Sequence, residues 1–362
     1  MQQRILFGTV LLASHVSAAE PFLGFGKDSA PVIETRTLDQ LHQAALAEGG
    51  VVTLWHGGDE KNQQDSLKSS FETRFPGMTL NVTVDLSKYH DVNIDAQLAA
   101  NNVYVDSVIL QTVNDYPRWA AEDVLLRYAP AGFDKVHGSF KDVSAAWYGA
   151  YIFNWNTYWN LDTLKADGPV EWTDWLRPEL KDKIVCTYPN DDDAVLYAFD
   201  LIMQQYGPQW FDKFVTQNIR WVRGTQTPFT IVSQKNSTYA ASFIGGPLAS
   251  SSNINVSFPQ QGQFVSWPQT AAILKAAPHP EGAKLLHNFI LSKDYQSTMG
   301  LWPVRTDIPG PAGLPAIYDM PGTNPDGFVR WMADRGRVER LRNWFESRIG
   351  SAQGLSPLID DL

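Results

Sequence analysis

Apolar residues recur along this chain in two alternating periods. Leu285 and Phe289, like Leu286 and Ile290, stand four apart as the buried stripe of a helix. Pro280 sits in the first turn of that helix, where its missing N–H costs nothing. Near the amino end Thr37-Leu38-Asp39-Gln40 has the form of a capping box, and the helix it opens stops at Gly49-Gly50. Val51 to Trp55 reads as a buried strand, and Leu67, Phe71 and Phe75 as one face of a helix within 62–75. Leu80, Val82, Val84 and Leu86 alternate as a second strand. A helix over 92–100 and a strand from Asp106 to Leu110 complete a β-α-β-α-β succession, which predicts a doubly wound α/β layer. Residues 325–349 predict a long charged helix.

Composition narrows the class. A chain of 362 residues suits one large or two medium domains, and 44% hydrophobic residues with 13 Trp are enough for a sizeable core. A net charge of -10 argues against a nucleic-acid or anionic-membrane surface, where basic stripes are expected. Arg4, the apolar run Ile5 to Ala13 and the small residues up to Ala19 predict a secretory signal peptide over 1–19. That run and every other stretch are short of the ~20 residues that span a bilayer, and the end from Leu355 to Leu362 lacks a long apolar tail, so neither membrane insertion nor a glycolipid anchor is expected. A single cysteine, Cys186, allows no internal disulfide, and none stands at the cleavage site to carry a lipid. Sequons at Asn81, Asn236 and Asn255 predict N-glycosylation in a eukaryotic host; with the unlipidated start they point toward a fungal-type extracellular protein.

Two segments carry a resemblance. The run from Ala277-Pro278-His279-Pro280 to Gln296, and the passage from Trp172-Thr173-Asp174-Trp175-Leu176 through Pro178-Glu179-Leu180 to Pro189, resemble type II periplasmic solute-binding proteins. The branch is that of ferric-iron or small-anion ABC transport receptors, and the likeness covers about residues 36–320. It implies an α/β fold of two lobes, each a doubly wound mixed sheet, joined by two hinge crossings. Lobe 1 would comprise 20–148 plus 267–362, with the charged helix packed on its outside, and lobe 2 would comprise 149–266. The partners implied are a small-molecule ligand and, in a bacterium, an ABC permease; no cofactor, nucleic acid or catalysis is implied, and the expected state is a monomer.

In such a fold ligands meet strand carboxyl ends and helix amino termini. His56-Gly57-Gly58-Asp59 follows the first strand; it is a contact loop or a plain turn capped by Asp59. Thr112 ends the third strand as a hydroxyl donor or a helix cap. Tyr148 and Tyr151 with Asn156 at the first crossing, and Trp267 at the second, are cleft walls or hinge packing. Asn190 and Asp191 open an acidic run that serves a helix dipole before a cation. Thr225, Gln226 and Thr227 precede another helix as an anion cradle, with Gly245 and Gly246 at the facing strand end. Iron-binding members of the family present adjacent tyrosines after that strand, whereas Leu248 to Asn253 hold none, so a small organic or phosphorylated solute is favoured over Fe(III). The competing readings are a Cys186-dependent, thiaminase-like enzyme on the same fold and a secreted interaction protein with a degenerate cleft.

Overall fold

The computed structural model describes residues 31–311 and 313–359; the expected leader over 1–19 lies outside them. The capping box forms: Thr37 and Gln40 satisfy each other's backbone N–H groups at the start of α1 (Leu38–Glu48), and Gly49 ends it at a positive φ of 129°. β1 (Val51–Gly57), α2 (Asp65–Arg74), β2 (Thr79–Asp85), α3 (Ser87–Ala99), β3 (Ser107–Leu110) and α4 (Asp115–Ala121) follow. β1 lies parallel between β2 and β3. β4 (Tyr148–Asn154) arrives later, and the sheet closes only when a distant strand, β10 (Ser266–Ile273), inserts antiparallel between β3 and β4. The apolar face of α9 (Pro280–Ile290) covers one side of this sheet beside α1, while Ile94, Tyr116 and Trp119 pack the other side against Trp55 and Val108. Burial on both faces explains why β1 and β3 read as near-continuous apolar runs, whereas the half-exposed edge strand β2 alternates.

The second lobe repeats the plan. It contains β5 (Thr157–Asn160), α5 (Leu161–Leu164), β6 (Val185–Thr187), α6 (Asp193–Tyr206), α7 (Gln209–Phe214), β7 (Arg220–Val222), α8 (Thr227–Ser233), β8 (Ala241–Ser242) and β9 (Ile254–Ser257). β6 and β7 are parallel, a bridge between Ile184 and Ala241 joins β6 to β8, and β5 runs antiparallel between β8 and β9. The order β7-β6-β8-β5-β9 thus has the same directions as β2-β1-β3-β10-β4, although no sequence repeat marks it. The family-like segment after Trp172 forms two short 3₁₀ turns, Asp174–Leu176 and Pro178–Leu180. Pro178 interrupts the backbone there, and Trp175 anchors the turn on Phe243 at 4.9 Å between ring centroids.

Two expectations need correction. The first crossing was expected at Tyr148–Tyr151, but β4 stays paired with β10 as far as Asn154 opposite Ser266, so the chain leaves lobe 1 at Trp155-Asn156. The charged helix at 325–349 was expected outside lobe 1. It is instead two helices after α10 (Lys293–Thr298): α11 (Gly327–Ala333), lying on β10 and α6, and α12 (Arg335–Ile349), lying on lobe 2. The cause is a short apolar seam: Phe345 is fully buried and meets Phe199 at 5.5 Å and Phe211 at 4.8 Å, while Arg335 and Arg342 pair with Asp193 at the start of α6.

Candidate functional site

A cavity of about 490 Å³ lies between the lobes, a volume suited to a small molecule. Lobe 1 contributes the turn after β1, the first turn of α3, the segment joining β3 to α4, and the ends of β4 and β10. Lobe 2 contributes the amino ends of α6 and α8, the loop after β8, and α12. Strand ends and helix starts converge because both lobes share one strand order and face each other with the same edge.

The lobes touch through charge. Asp59, 5% exposed, reaches across and accepts from the Thr225 N–H at 2.8 Å, the Thr225 hydroxyl and the Gln226 N–H at 3.3 Å. Burial pushes its pKa up, and the Thr225 and Gln226 donors only partly oppose that. Lys88 of α3 donates to the Asp191 carboxylate and backbone carbonyl, each at 2.7 Å. Burial raises the pKa of Asp191, but Arg223 and Lys88 more than reverse the effect and hold it below the usual range. Asp192 caps α6 through the N–H groups of Ala194 and Val195, and burial pushes its carboxyl up to about 7.

Elsewhere on the wall, polar groups lack partners. Among the described residues twelve buried side-chain N or O atoms have no hydrogen-bond partner in the protein. Five of them, Thr112 Oγ1, Asn114 Oδ1, Asp115 Oδ2, Asn154 Nδ2 and Trp155 Nε1, belong to residues lining this one cavity. Each such group costs about 1–3 kcal/mol when nothing satisfies it, so the cluster marks a place built for a polar occupant. An aromatic corner adjoins it: Trp155 meets Trp267 edge-on at 4.8 Å, and Phe153 meets Trp267 at 5.7 Å.

Of the residues singled out from the sequence, Gly57, Gly58, Asp59, Thr112, Asp191, Thr225, Gln226, Gly245, Gly246 and Trp267 line the cavity. Several are already engaged: the Gly58 N–H donates to the Asp85 carbonyl, and the expected anion cradle holds Asp59. The other five lie off the wall. His56 is fully buried against the Tyr151 hydroxyl, and burial lowers its pKa to about 3. Tyr151 faces a separate groove on lobe 1. Tyr148 hydrogen-bonds His287 inside lobe 1 at 3.0 Å, as the longer β4 requires. Thr227 is buried in α8, and Asn190 turns to the Gly350 carbonyl at 3.1 Å. Cys186 is fully buried in β6 and hydrogen-bonded in the lobe 2 core, where burial pushes its thiol far up and away from nucleophilic use.

Sequence reasoning missed Lys88, Asp91, Asn114, Asp115, Asn154, Trp155, Arg335 and Arg342, all on the cavity wall. Asn114 and Asp115 carried a usable signal, since they directly follow the Gln111-Thr112 strand end. Arg335 and Arg342 carried none, because only the docking of α12 on lobe 2 brings them there.

No sequence among curated proteins matches the chain. Solved structures do. Iron-bound HitA from Pseudomonas aeruginosa aligns at TM-score 0.64 and 15% identity, covering 82% of this chain and 99% of its own. AfuA from Actinobacillus pleuropneumoniae, with fructose-6-phosphate bound, aligns at TM-score 0.66 and 19% identity over 83% and 99%. The substrate-binding protein of an ABC transporter from Agrobacterium tumefaciens aligns at TM-score 0.70 and 14% identity over 84% and 96%. At such identities these are similarities of fold. The profile of the family described as bacterial extracellular solute-binding protein matches residues 108–301, more than half of the chain. The two lobes, the cleft between them and that match together make the chain a member of the bacterial extracellular solute-binding protein family.

Proposed function

We propose that the protein is an exported receptor that closes its lobes on one small polar organic solute and delivers it to an ABC permease. The observation that carries this is the cluster of five unpartnered buried polar groups on the wall of a 490 Å³ cavity. The hinges are read at Trp155-Asn156 and at 258–265, with the chain leaving the first sheet after β4 and rejoining it at β10. A phosphorylated ligand fits less well than the sequence implied, because Asp59 occupies the donors of Thr225 and Gln226. The burial of Cys186 away from the cavity speaks for a receptor over a thiol enzyme.

Export through the leader over 1–19, a monomeric state and occupied sequons belong to the same reading. Asn81 and Asn236 are exposed and Asn255 partly so. The family match is bacterial and lends no support to a fungal source. Among the described residues no helix is long and apolar enough to cross a membrane.

The test is a thermal-shift panel of neutral sugars, sugar phosphates, amines and ferric citrate, with small-angle scattering on any hit. A bound solute at 100 times its Kd stabilises the fold by about 2.7 kcal/mol and contracts the molecule. A panel without any shift counts against a receptor.

A further inference from the structure

The charges on the cavity wall do not leave a neutral surface. Asp59 is held by Thr225 and Gln226, Asp191 by Lys88 and Arg223, Asp193 by Arg335 and Arg342, and Asp192 by the first N–H groups of α6. These pairings consume Lys88, Arg335 and Arg342, the three basic residues on the wall. Two carboxylates remain. Asp115, 7% exposed, gives one oxygen to Arg118 at 3.0 Å, while Oδ2 is buried without a partner. Asp91 lies beside it, accepts from its neighbour's Val92 N–H, and has no ion-pair partner among the described residues. Arg118 is shared with Asp95 at 2.9 Å and Glu122 at 3.5 Å, so one guanidinium faces three carboxylates.

Elsewhere on the same wall the polarity is opposite. Asn154 Nδ2 and Trp155 Nε1 are buried donors that lack an acceptor, on residues 5% and 7% exposed. They adjoin the ring cluster of Phe153, Trp155 and Trp267, whose faces favour a positive charge and an organic body.

We propose that the cleft binds a small organic ammonium compound carrying an oxygen acceptor, its charged nitrogen donating to Asp115 and Asp91 and its oxygen accepting from Asn154 and Trp155. This rests on the receptor reading and names the solute class for it. A buried carboxylate with a free oxygen is costly alone, and a charge-assisted bond from an ammonium group offsets that cost where a phosphate would add to it. Titration agrees with the geometry. Burial first, then the charge of Asp115, a hydrogen bond with its carboxyl and the charge of Asp95 push Asp91 up to about 7 against the Val92 N–H, so the two acids hold a proton that an arriving cation displaces, while Arg118 of α4 pairs with Asp115 from the other side. Ammonium affinity therefore rises as pH increases through about 7.

Matched probes test this: ethanolamine, glucosamine and serinol against their neutral counterparts ethylene glycol, glucose and glycerol, with glucose 6-phosphate and ferric citrate alongside. Calorimetry should show at least one ammonium probe binding about 10-fold or more tighter than its neutral partner. Asp115→Asn and Asp91→Asn should weaken it by a similar factor. Trp155→Phe, which keeps an aromatic ring but loses the indole N–H with part of the ring surface, should cost a smaller factor and serves if an aspartate variant fails to fold. Equal binding of charged and neutral partners, binding of only glucose 6-phosphate or ferric citrate, or no shift with any ammonium probe overturns the proposed class. Any solute that still binds then leaves the receptor reading standing, whereas silence from every probe overturns both.

Discussion

At the scale of single residues, Asp59 and Asp91 show how burial and partners divide the same side chain between structure and binding. One oxygen of Asp59 takes three donors from the opposite lobe, whereas Asp91 sits among other carboxylates. The folded pKa of Asp91 lies near 7, above the ordinary 3.8, so the folded state binds more protons across that window. Its stabilising contribution is complete below about 4 and is lost as pH rises through about 7. Asp91→Asn should accordingly raise the Tm by about 1–3 °C at pH 8 and by less than about 1 °C at pH 5, read by differential scanning calorimetry. An equal rise at both pH values would contradict this account. Asp59 was legible as a loop acid after a strand, but its partner was not: the cradle at Thr225 and the acid that fills it are 166 residues apart.

Among elements, the loop after β8 and the helix α12 carry the most consequence. Gly245 and Gly246 have φ of 73° and 92°, and a Cβ on Gly245 would stand 2.5 Å from the Thr225 carbonyl oxygen. Gly245→Ala should therefore cost about 1–2 kcal/mol from the left-handed backbone alone, and should loosen the Thr225 contact with Asp59. Urea unfolding measures the first effect. α12 was readable as a charged helix; its placement was not, since mostly polar surface hides the few apolar residues that seat it on Phe199 and Phe211. Phe345→Ala should cost about 3–5 kcal/mol by emptying that seam, and a cost under about 1 kcal/mol would mean the helix is not held there. The hinge strands teach the same lesson. β4 could be sensed from its apolar residues, but its length is set by pairing with β10, more than a hundred residues later, and that pairing moves Tyr148 and Tyr151 off the cavity wall.

For the whole molecule, the contacts of Asp59 with Thr225 and of Lys88 with Asp191 bind the two lobes together. Asp59→Ala strands three donors and removes a buried contact worth about 1–3 kcal/mol, enough to lower the closed population by about 10-fold or more. Small-angle scattering should then report a larger radius of gyration for the variant without added solute, and an unchanged radius would show that Asp59 does not hold the cleft shut. What the sequence by itself determined was local: the capped helices, the buried strands, the family-like segments and the scaffold they imply. Each depends on residues close in the chain, where side-chain periodicity and backbone preference act directly. Only the tertiary structure decided which carboxylates are neutralised and which wait for a partner. That outcome depends on contacts such as Asp193 with Arg342 and Asp59 with Thr225, which bring together residues more than a hundred positions apart and withdraw them from water. The electrostatics of the cleft, and with it the chemistry of the solute, belongs to the fold rather than to any stretch of the chain.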